Sequence, residues 1–295
     1  MVKALSRIAS SMLVRVGKMV DKTASKPVGT TPQRLRRIEG KHNALVKELR
    51  QAFARAELTT DGYCAIEGLR IIEEAIRSGL RFRAVFFSES AGPKAERLLP
   101  QIGAHVETLM LPDKLFAGAV PSETPQGVAA LVRLRESSVD TLLEKPGLLI
   151  GIAGVQDPGN LGTILRSTEA FEAGGVLLGE GTVSPFNSKV VRASAGSVFR
   201  VPAARVKLAE IIPRLREHGF RVLATSSHKG IPLEQANFTG QVAVLVGSEG
   251  AGIGRELLAK VDDVVAIPHS PKVESLNAGV AASIVLYEAA RQRKS

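Results

Sequence analysis

Apolar residues along this chain fall into two alternating rhythms: short runs of Val, Leu, Ile and Ala, and longer stretches with apolar positions three and four apart. The first kind reads as buried strands and the second as amphipathic helices. Ile71, Ile72, Ala75 and Ile76 keep helical spacing and stop at Ser78-Gly79. Arg83 to Ser88 reads as a buried strand, Lys94 to Leu99 as a helix, His105 to Met110 as a strand, and the segment from Gln126 continues the alternation. This rhythm over residues 65–134 predicts a small α/β sandwich. Beyond the break at Lys145-Pro146-Gly147, Val/Leu-rich runs open at Leu148, Val176, Arg221, Val242 and Val264, and an Ala-rich helix begins at Asn277. Runs of this type separated by helices predict a parallel sheet covered on both faces.

These patterns divide the chain into residues 1–32, a basic flexible extension closed by the Lys/Pro/Gly/Thr stretch of Ser25 to Pro32; 33–136, a first domain; 137–146, a linker; and 147–295, a second domain. Gln33 to Glu57, rich in Arg, Lys, Glu, Leu and Ala, reads as one or two helices, with Arg34 to Arg37 an Arg-rich helix. A length of 295 residues suits two domains, since single cores rarely grow past about 250 residues.

Charge sharpens this picture. The formal net charge is +10, and Lys3, Arg7, Arg15, Lys18, Lys22 and Lys26 face Asp21 alone in the first 26 residues. A basic balance favours a polyanionic partner through phosphate neutralisation, without separating RNA from DNA or a membrane surface. The extension would also suit an organellar transit peptide, but it has no long apolar segment for secretion. No apolar run is long enough for a membrane-spanning helix, so no membrane partner is expected. One cysteine, Cys64, excludes an internal disulfide and a multi-thiolate zinc cluster. The five histidines have no paired spacing, so no metal is expected, and a reducing, cytoplasmic setting fits.

Candidate chemistry lies in three stretches of the second domain. Gly154 to Arg166 reads Gly-Val-Gln-Asp-Pro-Gly-Asn-Leu-Gly-Thr-Ile-Leu-Arg, Val244 to Ile253 reads Val-Leu-Val-Gly-Ser-Glu-Gly-Ala-Gly-Ile, and Ile267 to Asn277 reads Ile-Pro-His-Ser-Pro-Lys-Val-Glu-Ser-Leu-Asn. In the middle stretch an apolar strand ends in glycines, where a nucleotide-like ligand can approach the backbone at the usual ligand edge of an α/β sheet. Gly250-Ala-Gly-Ile-Gly is only a partial dinucleotide fingerprint, and no phosphate-binding Gly-x-x-x-x-Gly-Lys loop occurs. In the first stretch Gly162 and Arg166 stand one helical turn apart, so a small residue there leaves space for a ligand or another subunit's backbone. Ser275 and Asn277 suit a helix start, where a capping role alone would explain them.

In order and spacing these stretches resemble the three motifs of the SpoU (TrmH-like) branch of the SPOUT methyltransferases, which methylate RNA ribose with S-adenosylmethionine. Glu67-Gly68-Leu-Arg-Ile-Ile-Glu-Glu-Ala and Thr124-Pro-Gln-Gly127-Val-Ala-Ala are similar to the substrate-binding domain that precedes the catalytic domain in several such enzymes. The resemblance implies an α/β fold with a deep trefoil knot in the C-terminal domain and a ribosomal-protein-like α/β domain before it. It assigns catalytic roles to Asn160, Arg166, Glu249, Ser275 and Asn277, and cofactor binding to the backbone around Leu245, Gly247, Ile267 and Leu276. It also implies a homodimer whose active site draws on both subunits. A ribose 2'-hydroxyl of large-subunit ribosomal RNA is the expected acceptor. Transfer RNA is the alternative within the same chemistry, and a non-catalytic RNA-binding assembly factor the alternative outside it.

Overall fold

The computed structural model describes residues 35–40, 42–134, 137–145, 147–227 and 229–294. The basic extension and Arg34 lie outside the described residues. In chain order the elements of the first domain are β1 (Leu35–Arg37), α1 (Ala44–Arg55), β2 (Tyr63–Glu67), α2 (Leu69–Arg77), β3 (Arg81–Ser88), α3 (Gly92–Leu98), β4 (Glu107–Leu111), α4 (Asp113–Ala117) and β5 (Val128–Arg133). The chain continues with α5 (Val139–Leu143), β6 (Leu148–Ala153), α6 (Pro158–Ala170), β7 (Gly175–Leu178), α7 (Ser188–Ala193), β8 (Ala203–Arg205), α8 (Leu208–Glu217), β9 (Arg221–Ser226), β10 (Ile231–Pro232), β11 (Val242–Gly247), α9 (Arg255–Leu258), β12 (Asp263–Ala266) and α10 (Ala278–Lys294).

The first sheet runs β1-β4-β3-β5-β2, with β1, β4 and β3 parallel and β5 antiparallel to both β3 and β2. Successive side chains of a strand point to opposite faces, and both faces here are apolar. Phe86 packs with Ala65, Leu109 and Leu131 beneath α1, whose Val46, Leu49 and Ala52 face inward. Phe87 packs with Ile66, Val85 and Val132 against α2 and α3. Both phenylalanines are fully buried, and removing either ring would cost about 3–5 kcal/mol. The start of α1 is fixed by Asn43, whose Oδ1 accepts from the Leu45 and Val46 amides at 3.0 and 3.3 Å.

Two expectations change here. Residues 35–37 form an edge strand, not a helix, because the backbone of β4 offers a parallel partner and Glu107 offers a carboxylate 3.6 Å from Arg36. The stretch expected as a linker holds α5, whose Leu142 and Leu143 are buried in the core of the second domain. Nor do the two sheets have wholly separate cores: Phe186 and Val191 join the cluster that contains Phe87.

The second sheet runs β10-β12-β9-β11-β6-β7-β8, and all its pairings are parallel. One face is covered by α6 and α10, the other by α8 and α5. Two strands beyond the expected five, β8 and β10, extend its edges. α6 and α10 lie side by side, with Ser167 Oγ 2.6 Å from Ser283 Oγ and Phe171 edge-on to Tyr287. Gly279 faces Thr163 in the same register, so rows spaced by four residues meet along both helices. No helix among the described residues is long and apolar enough to cross a membrane.

Candidate active site

At the carboxyl end of β11 the chain leaves the sheet through Ser248 to Gly252 and folds back on itself. The Gly252 amide donates to the Ser248 carbonyl at 2.9 Å, and Gly252 takes φ +60°. This return presses on Gly247, where an added Cβ would lie 2.3 Å from the Gly252 carbonyl carbon. Only glycine fits there without backbone movement. At Gly250, by contrast, the same atom would meet nothing within 4 Å.

Two hollows flank the loop. One of about 350 Å3 is lined by Thr225, Gly247, Ile267, His269, Ser275 and Leu276. The other, of about 710 Å3, is lined by Gly154, Gln156, Asp157 and Glu180, and residues 248–252 line both. These volumes fall in the range of about 300–1,000 Å3 usual for small-ligand sites, at the sheet edge where such sites form. A lining of backbone and small side chains at residues 247–252 leaves room for the adenosine and methionine portions of S-adenosylmethionine in the smaller hollow, so the residues present fit that cofactor.

Glu249 ties the three motifs together. Its Oε1 accepts from Asn160 Nδ2, from Asn277 Nδ2 at 3.2 Å and from the Ala278 amide at 3.3 Å. Asn160 is brought there by the start of α6, where Asp157 Oδ1 caps the Asn160 amide at 2.8 Å and Pro158 occupies the first turn. Asn277 caps α10 through Oδ1, which accepts from the Val280 amide at 3.1 Å. The capping role weighed from sequence is therefore present, and the same side chain also reaches Glu249. Ser275 lies on the wall of the smaller hollow.

Three expected residues sit differently. Leu245 is fully buried in β11, packs in the core with Leu208 and Ile253, and lines neither hollow. The strand's alternation turns its side chain to the core, while its backbone carbonyl accepts at 3.2 Å from Oγ1 of Thr225, a residue on the wall of the smaller hollow. Gly162 makes no room for a ligand or a second subunit, because α7 of the same chain fills that space: a Cβ at 162 would lie 2.4 Å from Ala193 Cβ. Arg166 is exposed on α6, lines neither hollow, and makes no hydrogen bond or ion pair among the described residues. Six residues of helix turn it away from Asn160.

Thr225 and Glu180 lie outside the three stretches singled out from sequence, and Gln156 lies within the first of them without a role assigned to it. Thr225 could have been found, since Thr225-Ser-Ser follows an apolar run at a strand's carboxyl end. In the first domain Glu67 is buried, accepts from Ser122 Oγ at 2.6 Å and from the Gln126 amide at 3.4 Å, and so pins the loop before β5. Ser122 in turn accepts from Arg192 of α7 at 2.7 Å.

Comparison with known proteins agrees with this geometry. Residues 147–287 match the model of the SpoU rRNA Methylase family, and residues 43–130 match an MRM3-like substrate binding domain. The chain is 32% identical over 253 residues to the 23S rRNA (guanosine(2553)-2'-O)-methyltransferase RlmP of Bacillus subtilis, covering 86% of this chain and 98% of that protein. Among solved structures it resembles the SpoU methyltransferase AviRb from Streptomyces viridochromogenes in complex with AdoMet (TM-score 0.74, 27% identity, 86% of this chain and 99% of that one). It also resembles an AdoMet-bound rRNA methyltransferase from Sinorhizobium meliloti (TM-score 0.75, 27% identity, 88% and 98%). With two domain models matched, a relative 32% identical and covered almost end to end, and three motifs joined at one carboxylate, the chain belongs to the SpoU rRNA methylase family.

Proposed function

We propose that this protein methylates a ribose 2'-hydroxyl of large-subunit ribosomal RNA with S-adenosylmethionine. The observation that carries the proposal is the convergence of Asn160, Asn277 and the Ala278 amide on Glu249, beside a hollow that fits the cofactor. The near full-length match to a 23S rRNA 2'-O-methyltransferase supports ribosomal RNA over transfer RNA.

The bound cofactor supplies a methyl group on a positively charged sulfur, so the leaving group needs no further activation. This chain's residues then have to align the acceptor oxygen with that group, and the hydroxyl proton passes to water. Glu249 acts by position, since three donors already occupy Oε1 and hold residues 248–252 against α6 and α10. Gly247, Ile267 and Leu276 offer the cofactor their backbone, and Ser275 a hydroxyl. Arg166 holds the acceptor's phosphate and hydroxyl; a guanidinium, which carries N–H donors and no acceptor, serves as a donor and not as a base.

Arg166 reaches a second copy of the chain in this proposal. Val280 and Tyr287, 46% and 58% exposed, lie seven residues apart on one face of α10, the helix packed alongside the α6 that carries Arg166. An apolar strip beside an unpaired arginine suits a homodimer in which each α6 serves its partner's site. The knotted path through residues 248–277 and the cytoplasm as the place of work belong to the same reading.

Transfer of tritiated methyl from S-adenosylmethionine to ribosomal and transfer RNA, followed by nucleoside analysis, tests it. Label in a 2'-O-methylnucleoside of 23S RNA is the expected result. Label in transfer RNA would overturn the substrate, and absence of cofactor binding would favour an assembly factor.

A further inference from the structure

β3 and β5 place Arg81 and Arg133 directly opposite one another in their antiparallel register. A like-charge pair at facing positions destabilises a sheet. Neither side chain has a hydrogen bond or ion pair among the described residues, and both are exposed. Their neighbour Arg83 shows what the chain does with an arginine it uses for itself. The β3 register shifts between Phe82 and Ala84, and Arg83 reaches Glu48 and Asp61, each at 3.2 Å. A bulge re-aims a side chain; here it leaves the opposed pair without a carboxylate.

The pair stands at the rim of a cleft of about 420 Å3 between the two domains. The floor is apolar, made by Leu134 of the first domain and Leu178, Phe186 and Phe199 of the second. Arg200 and Arg205 also border it, but both are matched: Arg200 by Glu169 and Glu74, Arg205 by Glu57. Arg133 lies 5.9 Å from the centre of the Tyr63 ring, a residue outside the cleft's lining, so the guanidinium stands against an aromatic neighbour and has no carboxylate partner. An apolar floor that includes Phe186 and Phe199, with two guanidiniums lacking a carboxylate partner, suits a ligand with a planar apolar body and a phosphate.

One hollow stands between the cleft and those beside residues 248–252. Leu178, Pro185 and Arg205 also line the next hollow, which shares Glu180 with the one beside residues 248–252. Shared lining residues thus link the hollows stepwise, from the one beside residues 248–252 to the domain junction.

We propose that this cleft holds an unpaired nucleotide of the substrate RNA that flanks the methylated one, its base on the apolar floor and its phosphate between Arg81 and Arg133. The proposal rests on RNA being the substrate. Single-stranded RNA is commonly held by stacking and by guanidinium planes, and here the phosphate removes the like-charge repulsion across the β3–β5 ladder.

The test compares the full-length protein with its Arg81→Gln/Arg133→Gln double variant. A short fluorescein-labelled single-stranded RNA is titrated across a KCl series, with S-adenosylmethionine affinity and the thermal midpoint measured alongside. Expected are a loss of about tenfold or more in RNA affinity and a salt slope smaller by about 0.7, from the one phosphate held between the two guanidiniums. Cofactor affinity should be unchanged and the thermal midpoint equal or raised, whereas a merely structural pair would lower it. Arg133→Lys, which keeps the charge and loses the planar stack, should fall between the two. Unchanged RNA affinity and slope would overturn the proposal, as would equal competition by adenosine 5'-monophosphate, which would mark a mononucleotide site. The titration needs no methyl transfer, so it reads the cleft independently of the proposed reaction.

Discussion

The cofactor hollow and the domain-junction cleft differ in how the chain answers its own charges. Glu249 is met by three donors, from Asn160, Asn277 and the Ala278 amide, which tie its loop to the starts of α6 and α10. At the junction the chain matches Arg200 with Glu169 and Glu74, yet leaves Arg81 and Arg133 facing each other. A charge satisfied internally fixes a shape, and an unsatisfied one is available to a ligand. Arg166 belongs with the second kind, although it lies in the catalytic domain.

Changing Arg166 should therefore have the largest effect on reaction. Arg166→Ala should lower kcat by about 10²–10³-fold, the usual cost of removing one positioned donor, with S-adenosylmethionine affinity and thermal midpoint unaltered. Single-turnover methylation measures it, and full activity would remove Arg166 from the site. Glu249→Ala comes next. It leaves the Asn160 and Asn277 amides and the Ala278 N–H without their acceptor, at about 1–3 kcal/mol, so cofactor binding measured by calorimetry should weaken about 10- to 100-fold.

Glu67→Ala sharpens the comparison from the other domain. It strips Ser122 Oγ and the Gln126 amide of their acceptor and should cost about 1–3 kcal/mol in urea unfolding. Cofactor affinity should stay the same, since Glu67 lines neither hollow by the sheet edge. Equal loss of cofactor affinity in the Glu67 and Glu249 variants would erase the distinction drawn between the two carboxylates.

The smallest effect concerns Cys64, whose Sγ lies 3.8 Å from the Phe186 carbonyl beneath the cleft. Burial, and secondarily Glu57, pushes its thiol from 9.0 up to about 12. The unfolded chain releases this proton first, so the stability it carries is full below pH 9 and lost as pH rises toward 12. At pH 8 iodoacetamide should alkylate the native thiol about 10³-fold more slowly than the urea-unfolded one. Cys64 should stay equally unreactive in the Arg81/Arg133 variant if that change touches only the rim.

The strands at the middle of the second sheet were legible because β6, β9 and β11 are buried on both faces and read as unbroken apolar runs. The start of α6 was legible for a local reason, the Asp157-Pro158 cap. β8 and β10, of three and two residues, carry no pattern of their own and exist because a neighbouring strand offers a ladder. The same tertiary pairing turned Leu35 to Arg37 into an edge strand despite its helix-favouring composition. At the site, type and spacing identified Asn160, Glu249 and Asn277. They could not reveal that Leu245 points to the core, that Gly162 is filled by Ala193, or that Arg81 meets Arg133, because each depends on register between segments distant in sequence.

Strand order also sets a timetable for synthesis. The first sheet has all its strands once Arg133 has been made, but β6 must wait for β11, since Leu148 pairs with Val242 about ninety residues later. At ribosomal rates of about 5–20 residues per second, an apolar strand edge stays open for about 5–20 seconds. A finished first domain thus stands beside an unfinished second one on every nascent chain, and during that interval the central strands depend on chaperones, or on the speed of translation itself, to avoid pairing with the wrong neighbour.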